Sequence, residues 1–227
     1  RADLVAANGP IFVGQGKAID AVASPNVKVI TVGNPCNTNA LIASANAASI
    51  PSRQFTAMTR LDQNRAVGQI AEQAGVPASK VQDVFIWGNH SNTMYPDPRF
   101  AKVGNESITD LFDNEWLQGA FLDTVATRGK AIIVARGASS AASAASAAVD
   151  HMRDWWQGSN GQIVSMALPS EGWYGVPEGL VFSFPCRCES GEIIVVEDLP
   201  IDEFAQQKID ENVKALLEER DAVSELL

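Results

Sequence analysis

The run Val27-Lys28-Val29-Ile30-Thr31-Val32 breaks at Gly33-Asn34-Pro35, and a helix-forming stretch opens near Asn37-Thr38-Asn39. β-Branched residues fit a pleated, covered surface, so the run reads as a strand buried inside a parallel sheet. Strand, polar tip and helix is the order in which α/β proteins hold ligands at the carboxyl ends of their strands. A single unit of this kind cannot make a sheet. The expected fold is therefore α/β: the end of a doubly wound parallel sheet, followed by a larger α+β region, with further sheet expected ahead of Arg1.

The rest of the chain supports that division. Residues 1–23 read as helix, because Leu4, Ile11, Phe12, Ile19 and Val22 recur near helical spacing, with Gly9-Pro10 as an interruption or kink. Residues 55–58 lead into a helix that starts around Leu61-Asp62-Gln63-Asn64-Arg65 and ends at Gly75. Val84-Phe85-Ile86-Trp87 is a strand stopped by Gly88. The polar stretch 103–130 holds helix around 108–112 and 116–125. A long helix covers 139–156, and its Ala/Ser-rich first half lets neighbouring backbones approach closely. Residues 180–188 and 192–198 form a hairpin across Ser190-Gly191. The last helix begins near Asp202, with Ile209, Val213, Leu216 and Leu217 as its buried stripe. No internal repeat is visible.

Composition excludes several function classes. With 46% apolar residues the 227-residue chain has enough material for a packed core and is not a disordered segment. Its longest apolar runs, 131–135 and 193–196, fall far below the roughly 18 residues of a membrane span, so no membrane partner is expected. Lys and Arg total 17 against 27 Asp and Glu, a net charge of −10, which repels a phosphate backbone and argues against nucleic acid. An anionic small molecule needs only a few well-placed arginines. The cysteines, Cys36, Cys186 and Cys188, form no disulfide framework. Two residues apart on one strand face, Cys186 and Cys188 have Cα atoms about 6.5–7 Å apart, at or beyond the disulfide limit. They are expected to be unbridged thiols in a reducing compartment, and no metal site is expected.

Two histidines occur. His151, within Asp150-His151-Met152-Arg153-Asp154, reads as a helix-surface residue. His90 follows an apolar strand and a glycine in Trp87-Gly88-Asn89-His90-Ser91. Asp62 and Arg65 lie three apart at a helix start and so share a face. A carboxylate that accepts the Nδ1 proton of a histidine holds the ring and supports its protonated form. An arginine beside it offers a planar fork to a substrate carboxylate. On position alone, a lone histidine after a strand is more often structural than catalytic. A helix-start charge with a surface ion pair likewise remains the better account of Asp62 and Arg65.

Taken together, Leu61-Asp62-x-Asn64-Arg65, Trp87-Gly88-Asn89-His90-Ser91 and Val32-Gly33-Asn34-Pro35-x-Asn37-Thr38-Asn39 resemble the NAD-dependent malate dehydrogenases of the cytosolic type and their bacterial relatives. Arg136-Gly137-Ala138-Ser139-Ser140-Ala141-Ala142 and Tyr174-Gly175-Val176-Pro177-Glu178-Gly179 resemble two further segments of that family in the same order. The related lactate dehydrogenases carry a Gly-Glu-His-Gly type sequence, and Gly88-Asn89-His90-Ser91 is closer to the malate branch. The resemblance implies that residues 1–58 belong to the NAD-binding domain and 59–227 to the substrate-binding, catalytic domain. It implies NAD as cofactor, a malate/oxaloacetate substrate, a place in the tricarboxylic acid cycle, a cytoplasmic location and a homodimer, with 1–23 and 139–156 as interface candidates. By the same resemblance His90 is the proton acceptor, Asp62 its orienting carboxylate, and Arg65 the group that binds the carboxylate next to the reacting carbon. Arg1 corresponds to the second arginine of a mobile loop over the substrate, and Asn34 touches both cofactor and substrate. Asn8, Gln15, Val32 and Gly33 correspond to positions lining the NAD site. Gln63, where relatives often have His, is expected to face away.

The family pattern opens with a strand, a Gly-x-Gly-x-x-Gly turn and an acidic residue for the adenosine ribose. Gly14-Gln15-Gly16-Lys17 is not that turn, since no strand precedes it. A first loop arginine that separates malate from lactate is also expected ahead of Arg1. The resemblance therefore covers about the last two thirds of such an enzyme. The alternatives to a malate dehydrogenase are a catalytically incompetent substrate-binding and dimerisation fragment, or a lactate-type 2-hydroxyacid dehydrogenase on the same scaffold.

Overall fold

Glycine governs the first helix. The computed structural model describes residues 2–227, with side chains described from Ala7 onward. Helix α1 (Ala2–Val22) runs through Pro10 without ending. Two of its glycines mark close approaches: a Cβ at Gly9 would lie 2.5 Å from Leu226 Cδ1, and one at Gly16 would lie 2.4 Å from the Ala43 carbonyl oxygen. The helix thereby packs against both the following helix and the chain's C-terminal end.

The strand expected over 27–32 is β1 (Val29–Thr31), followed by α2 (Cys36–Ala45) and β2 (Phe55–Ala57). β1 and β2 are parallel, with Val29 opposite Phe55, so the three elements form a βαβ unit. Helix α3 (Arg60–Ala74) ends at Gly75, whose φ of 66° supplies the left-handed cap that stops it. Then come β3 (Val81–Gln82), β4 (Phe85–Trp87), β5 (Tyr95–Asp97), β6 (Lys102–Val103) and β7 (Glu106–Ser107). The helices α4 (Ile108–Leu111), α5 (Asn114–Gln118), α6 (Ala120–Arg136) and α7 (Ala141–Gln157) follow. The chain closes with β8 (Val164–Pro169), β9 (Val181–Glu189), β10 (Glu192–Val195) and α8 (Glu203–Asp221).

The main sheet has the order β1-β2-β8-β9-β10. Its parallel half meets its antiparallel half at β2 and β8, where Ala57 faces Ala167. The expected doubly wound end and α+β region are thus joined through one mixed sheet. The β9–β10 hairpin turns through Ser190 (φ 51°) and Gly191 (φ 85°), both left-handed as a two-residue hairpin loop requires. The larger core packs Trp87, Met166, Phe182, Phe184 and Ile209 between the sheet, the β4–β5 pair and α8. A second core packs Ile70, Ile86, Ile108 and Phe121 between α3, β4 and α6. Strand β4 thus has a core on each side and ends against β9, where Gly88 and Ser183 exchange backbone hydrogen bonds of 3.0 and 2.9 Å.

His151 corrects the reading of α7. It is fully buried, on the inward face with Ala147, Asp154 and Trp155. The small Ala/Ser half of α7 draws the helix onto α3, and polar partners wait inside: Thr56 Oγ1 lies 3.0 Å from His151 Nε2, and Arg60 Nη1 donates to Asp154 Oδ2 at 2.5 Å. A pattern rule scores these inward residues as polar surface, which is why the sequence misleads. Burial, reinforced by the charge of Arg60, pushes the His151 pKa down to about 3, so the ring is neutral at pH 7.

All three cysteines are buried, free thiols. Burial raises Cys186 well above the ordinary thiol value and Cys188 to about 12. Among the described residues, no helix is long and apolar enough to cross a membrane.

Candidate active site

At the carboxyl end of β1 the chain reaches its exposed tip, Val32, Gly33 and Asn34, and enters α2 through a cis Asn34-Pro35 bond. Both flanking helices fix the tip. Asn8 Nδ2 of α1 donates to the Asn34 carbonyl at 2.6 Å, and Asn39 Nδ2 of α2 donates to the Gly33 carbonyl at 2.9 Å. A Cβ at Gly33 would come within 3.1 Å of the Phe12 ring, so α1 presses directly on the backbone there.

Facing the tip is the first turn of α3. Asp62 has no exposed side-chain surface, and its Oδ2 is hydrogen-bonded to His90 Nδ1. Its Oδ1 lies 3.5 Å from Arg65 Nη1, the contact that i, i+3 spacing allows. His90 and Arg65 keep 18% and 14% of their side-chain surface open. The carboxylate is therefore a buried acceptor for a histidine and an arginine whose far ends reach solvent. That solvent fills a cleft of about 250 Å³, lined by Asn34, Arg65, His90, Met94, Gly129 and Lys130 among others. No acidic side chain lines it among the described residues. In a chain of net charge −10 this is a locally cationic pocket, suited to a small carboxylate.

The sequence-derived residues fall into three groups. Asn34, Arg65 and His90 meet in the cleft, with Asp62 behind them, and Asn8, Val32 and Gly33 adjoin it at the tip. Gln15 is exposed on α1, about two turns beyond Asn8, and does not line the cleft. Arg1 lies outside the described residues. Gln63 faces away as expected: its Oε1 accepts the Ser165 backbone N–H at 2.8 Å, inside the sheet.

Sequence reasoning missed the opposite wall, Ala126, Gly129 and Lys130 of α6. A signal was present in Gly129, because glycine inside a helix costs about 1 kcal/mol relative to alanine, so helix propensity does not account for it. A Cβ there would sit 3.5 Å from both Nη atoms of Arg65.

Known proteins match this arrangement along its whole length. Residues 1–56 match the NAD-binding domain of lactate/malate dehydrogenases, and residues 59–227 match their alpha/beta C-terminal domain. Malate dehydrogenase from Naegleria fowleri is 46% identical, with a TM-score of 0.96 over 100% of this chain and 70% of that one. Trichomonas vaginalis lactate dehydrogenase, solved in complex with NADH and oxamate, is 36% identical, with a TM-score of 0.95 over 100% of this chain and 71% of that one. Malate dehydrogenase from Salinibacter ruber is 25% identical, with a TM-score of 0.88 over 100% of this chain and 72% of that one. The chain belongs to the lactate/malate dehydrogenase family.

Proposed function

We propose that this protein is a malate dehydrogenase of the cytosolic-type branch, interconverting (S)-malate and oxaloacetate with NAD. The observation that carries the proposal is the buried Asp62 carboxylate, bonded to His90 and beside Arg65, in a cationic cleft at the β1 tip. A nicotinamide dinucleotide suits the chemistry of this tip: exposed backbone at Val32–Asn34 and the Asn34 amide offer hydrogen bonds to a carboxamide next to the cleft. When bound, the dinucleotide accepts the hydride from the carbinol carbon.

This chain's residues do the rest. Asp62 engages Nδ1 of His90, so the hydroxyl proton passes to Nε2, and the buried carboxylate stabilises the resulting imidazolium. In the reverse direction the same nitrogen returns the proton to the carbonyl oxygen. Arg65 holds the carboxylate next to the reacting carbon through its planar fork and so fixes that carbon relative to His90. Asn34 borders both the cofactor side and the substrate side. Residues 1–58 supply the dinucleotide side and 59–227 the acid side. We assign the active form to a cytoplasmic homodimer. The outer face of α7, where Val149 and Trp156 are 65% and 69% exposed, is a candidate for its interface.

A lactate-type substrate is the second reading, favoured by the 36% identity to the Trichomonas vaginalis lactate dehydrogenase. Steady-state NADH oxidation with oxaloacetate and with pyruvate separates the two. A kcat/KM higher for oxaloacetate by more than tenfold supports the malate reading, and the reverse order overturns it. His90→Ala is expected to abolish turnover of either acid; a fully active variant would remove the basis of the assignment.

A further inference from the structure

Helix α8 reaches the His90 segment through two side chains on one face, Asn212 and Glu219, seven residues apart. Asn212 is fully buried and uses all its bonding capacity. Its Oδ1 accepts the Asn89 backbone N–H at 2.9 Å and Thr93 Oγ1 at 3.1 Å; its Nδ2 donates to the carbonyls of Thr93 at 2.5 Å and Lys208 at 2.9 Å. The approach is so close that a Cβ on Gly88 (φ 92°) would lie 2.2 Å from Asn212 Cγ and Oδ1. Two turns along, Glu219 Oε1 accepts from Asn89 Nδ2 at 2.9 Å, and Oε2 accepts from Thr38 Oγ1 at 2.5 Å. Thr38 sits in the first turn of α2, immediately after the β1 tip.

Beyond the Gly88–Ser183 bridge, residues 89–94 between β4 and β5 lie in no strand. Side chains of other elements bond their backbone: Asn37 of α2 takes the His90 N–H, and Asn212 of α8 takes the Asn89 N–H and the Thr93 carbonyl. Glu219 adds a bridge that ties the residue next to His90 to the helix carrying the cofactor-side tip. We propose that Asn212 and Glu219 are positioning residues: through Asn89 they hold His90 in register with Asp62 and with the β1 tip. The C-terminal helix then sets the rate of proton and hydride transfer without touching the substrate. This rests on the reading of His90 as the proton acceptor.

The test compares Glu219→Ala, Glu219→Gln and His90→Ala in the intact enzyme. It measures kcat, KM for the oxoacid and for the dinucleotide, and the primary deuterium isotope effect on kcat with the 2-hydroxyacid deuterated at its carbinol carbon. A small displacement of a reacting group costs rate steeply, so Glu219→Ala is expected to lower kcat about tenfold, with both KM values within about twofold and a larger isotope effect. Glu219→Gln keeps an acceptor for Asn89 and a group that the rotatable Thr38 hydroxyl can meet, so it is expected to restore kcat to within about twofold. If Glu219→Ala does not accumulate as folded protein, Thr38→Val reads the same bridge from its other end, with the same expected rise in isotope effect. Unchanged kcat and isotope effect in the folded variant, with His90→Ala inactive, would overturn the positioning role. A His90→Ala enzyme that remains active would overturn the catalytic reading beneath it.

Discussion

Asn37 Oδ1 accepts the backbone N–H of His90 at 3.0 Å, while Asn37 Nδ2 donates to the carbonyls of Gly88 at 3.2 Å and Val181 at 3.0 Å. One buried amide from α2 thus joins the histidine segment to β9. Asn37→Ala would take the side-chain partner from the His90 N–H and the Val181 carbonyl, while the Gly88 carbonyl keeps the Ser183 N–H. At the low end of the usual penalty for each of the two, the loss of stability is expected to be about 2 kcal/mol. Urea unfolding of the variant and the parent measures it, and kcat is expected to fall in parallel because His90 loses an anchor. A variant as stable as the parent would mean that the segment finds other partners.

The parts legible in the sequence were those whose signal is local. A β-branched run with a polar tip gives β1 and α2, and i, i+3 spacing puts Asp62 beside Arg65. Strand β8 went unread, although it joins the two halves of the sheet. It is buried along nearly its whole length, so Val164-Ser165-Met166-Ala167-Leu168-Pro169 shows no alternation, and its small and polar residues do not look like a core strand. Helix α6 buries just Phe121 and Val125 and shows no apolar stripe, so the pattern carries it only to Val125, yet it runs to Arg136. The residues just past that point, Ala126, Gly129 and Lys130, are the ones that close the cleft. Asn212 was invisible for the opposite reason. It lies on the buried face of α8 with Ile209 and Leu216, and only the fold reveals what it meets there.

Arg65→Lys tests the fork. Lysine keeps the charge but loses the paired planar donors, and it cannot keep the guanidinium's place between Asp62 and Gly129. Losing one charge-assisted hydrogen bond costs about 1.5–3 kcal/mol, so kcat/KM for the oxoacid is expected to fall by about 10- to 100-fold. Initial-rate kinetics should place most of the change in KM for the oxoacid and little in KM for the dinucleotide. An equal rise in both KM values would argue that Arg65 serves the whole cleft rather than one carboxylate.

The thiols offer a test of burial. Cys36, Cys186 and Cys188 have essentially no accessible surface, and burial lifts Cys186 and Cys188 further from the reactive thiolate form. The native protein is expected to show no fast-reacting thiol toward a disulfide reagent at pH 8, and the denatured protein to show all 3. A thiol that reacts rapidly in the native state would expose an opening of β9 or α2 that the packing does not suggest.

His151 sets the behaviour of the fold in acid. Its folded-state pKa is depressed from the ordinary 6.5 to about 3, first by burial and then by the charge of Arg60. Above about pH 6.5 the ring is neutral in both folded and unfolded chains and adds no pH dependence. As pH falls from there towards 3, the unfolded chain binds a proton that the folded chain refuses. Stability then drops by about 1.4 kcal/mol per pH unit from this group alone. The contribution is thus fully present above the unfolded value and lost on the acid side. His151→Gln keeps a polar partner for Thr56 Oγ1 and removes the titration. Urea unfolding at intervals between pH 4 and 7 should show a slope for the variant that is shallower by about one proton. The two slopes would coincide if His151 were protonated in the folded protein, and the neutral buried ring would then have to be abandoned.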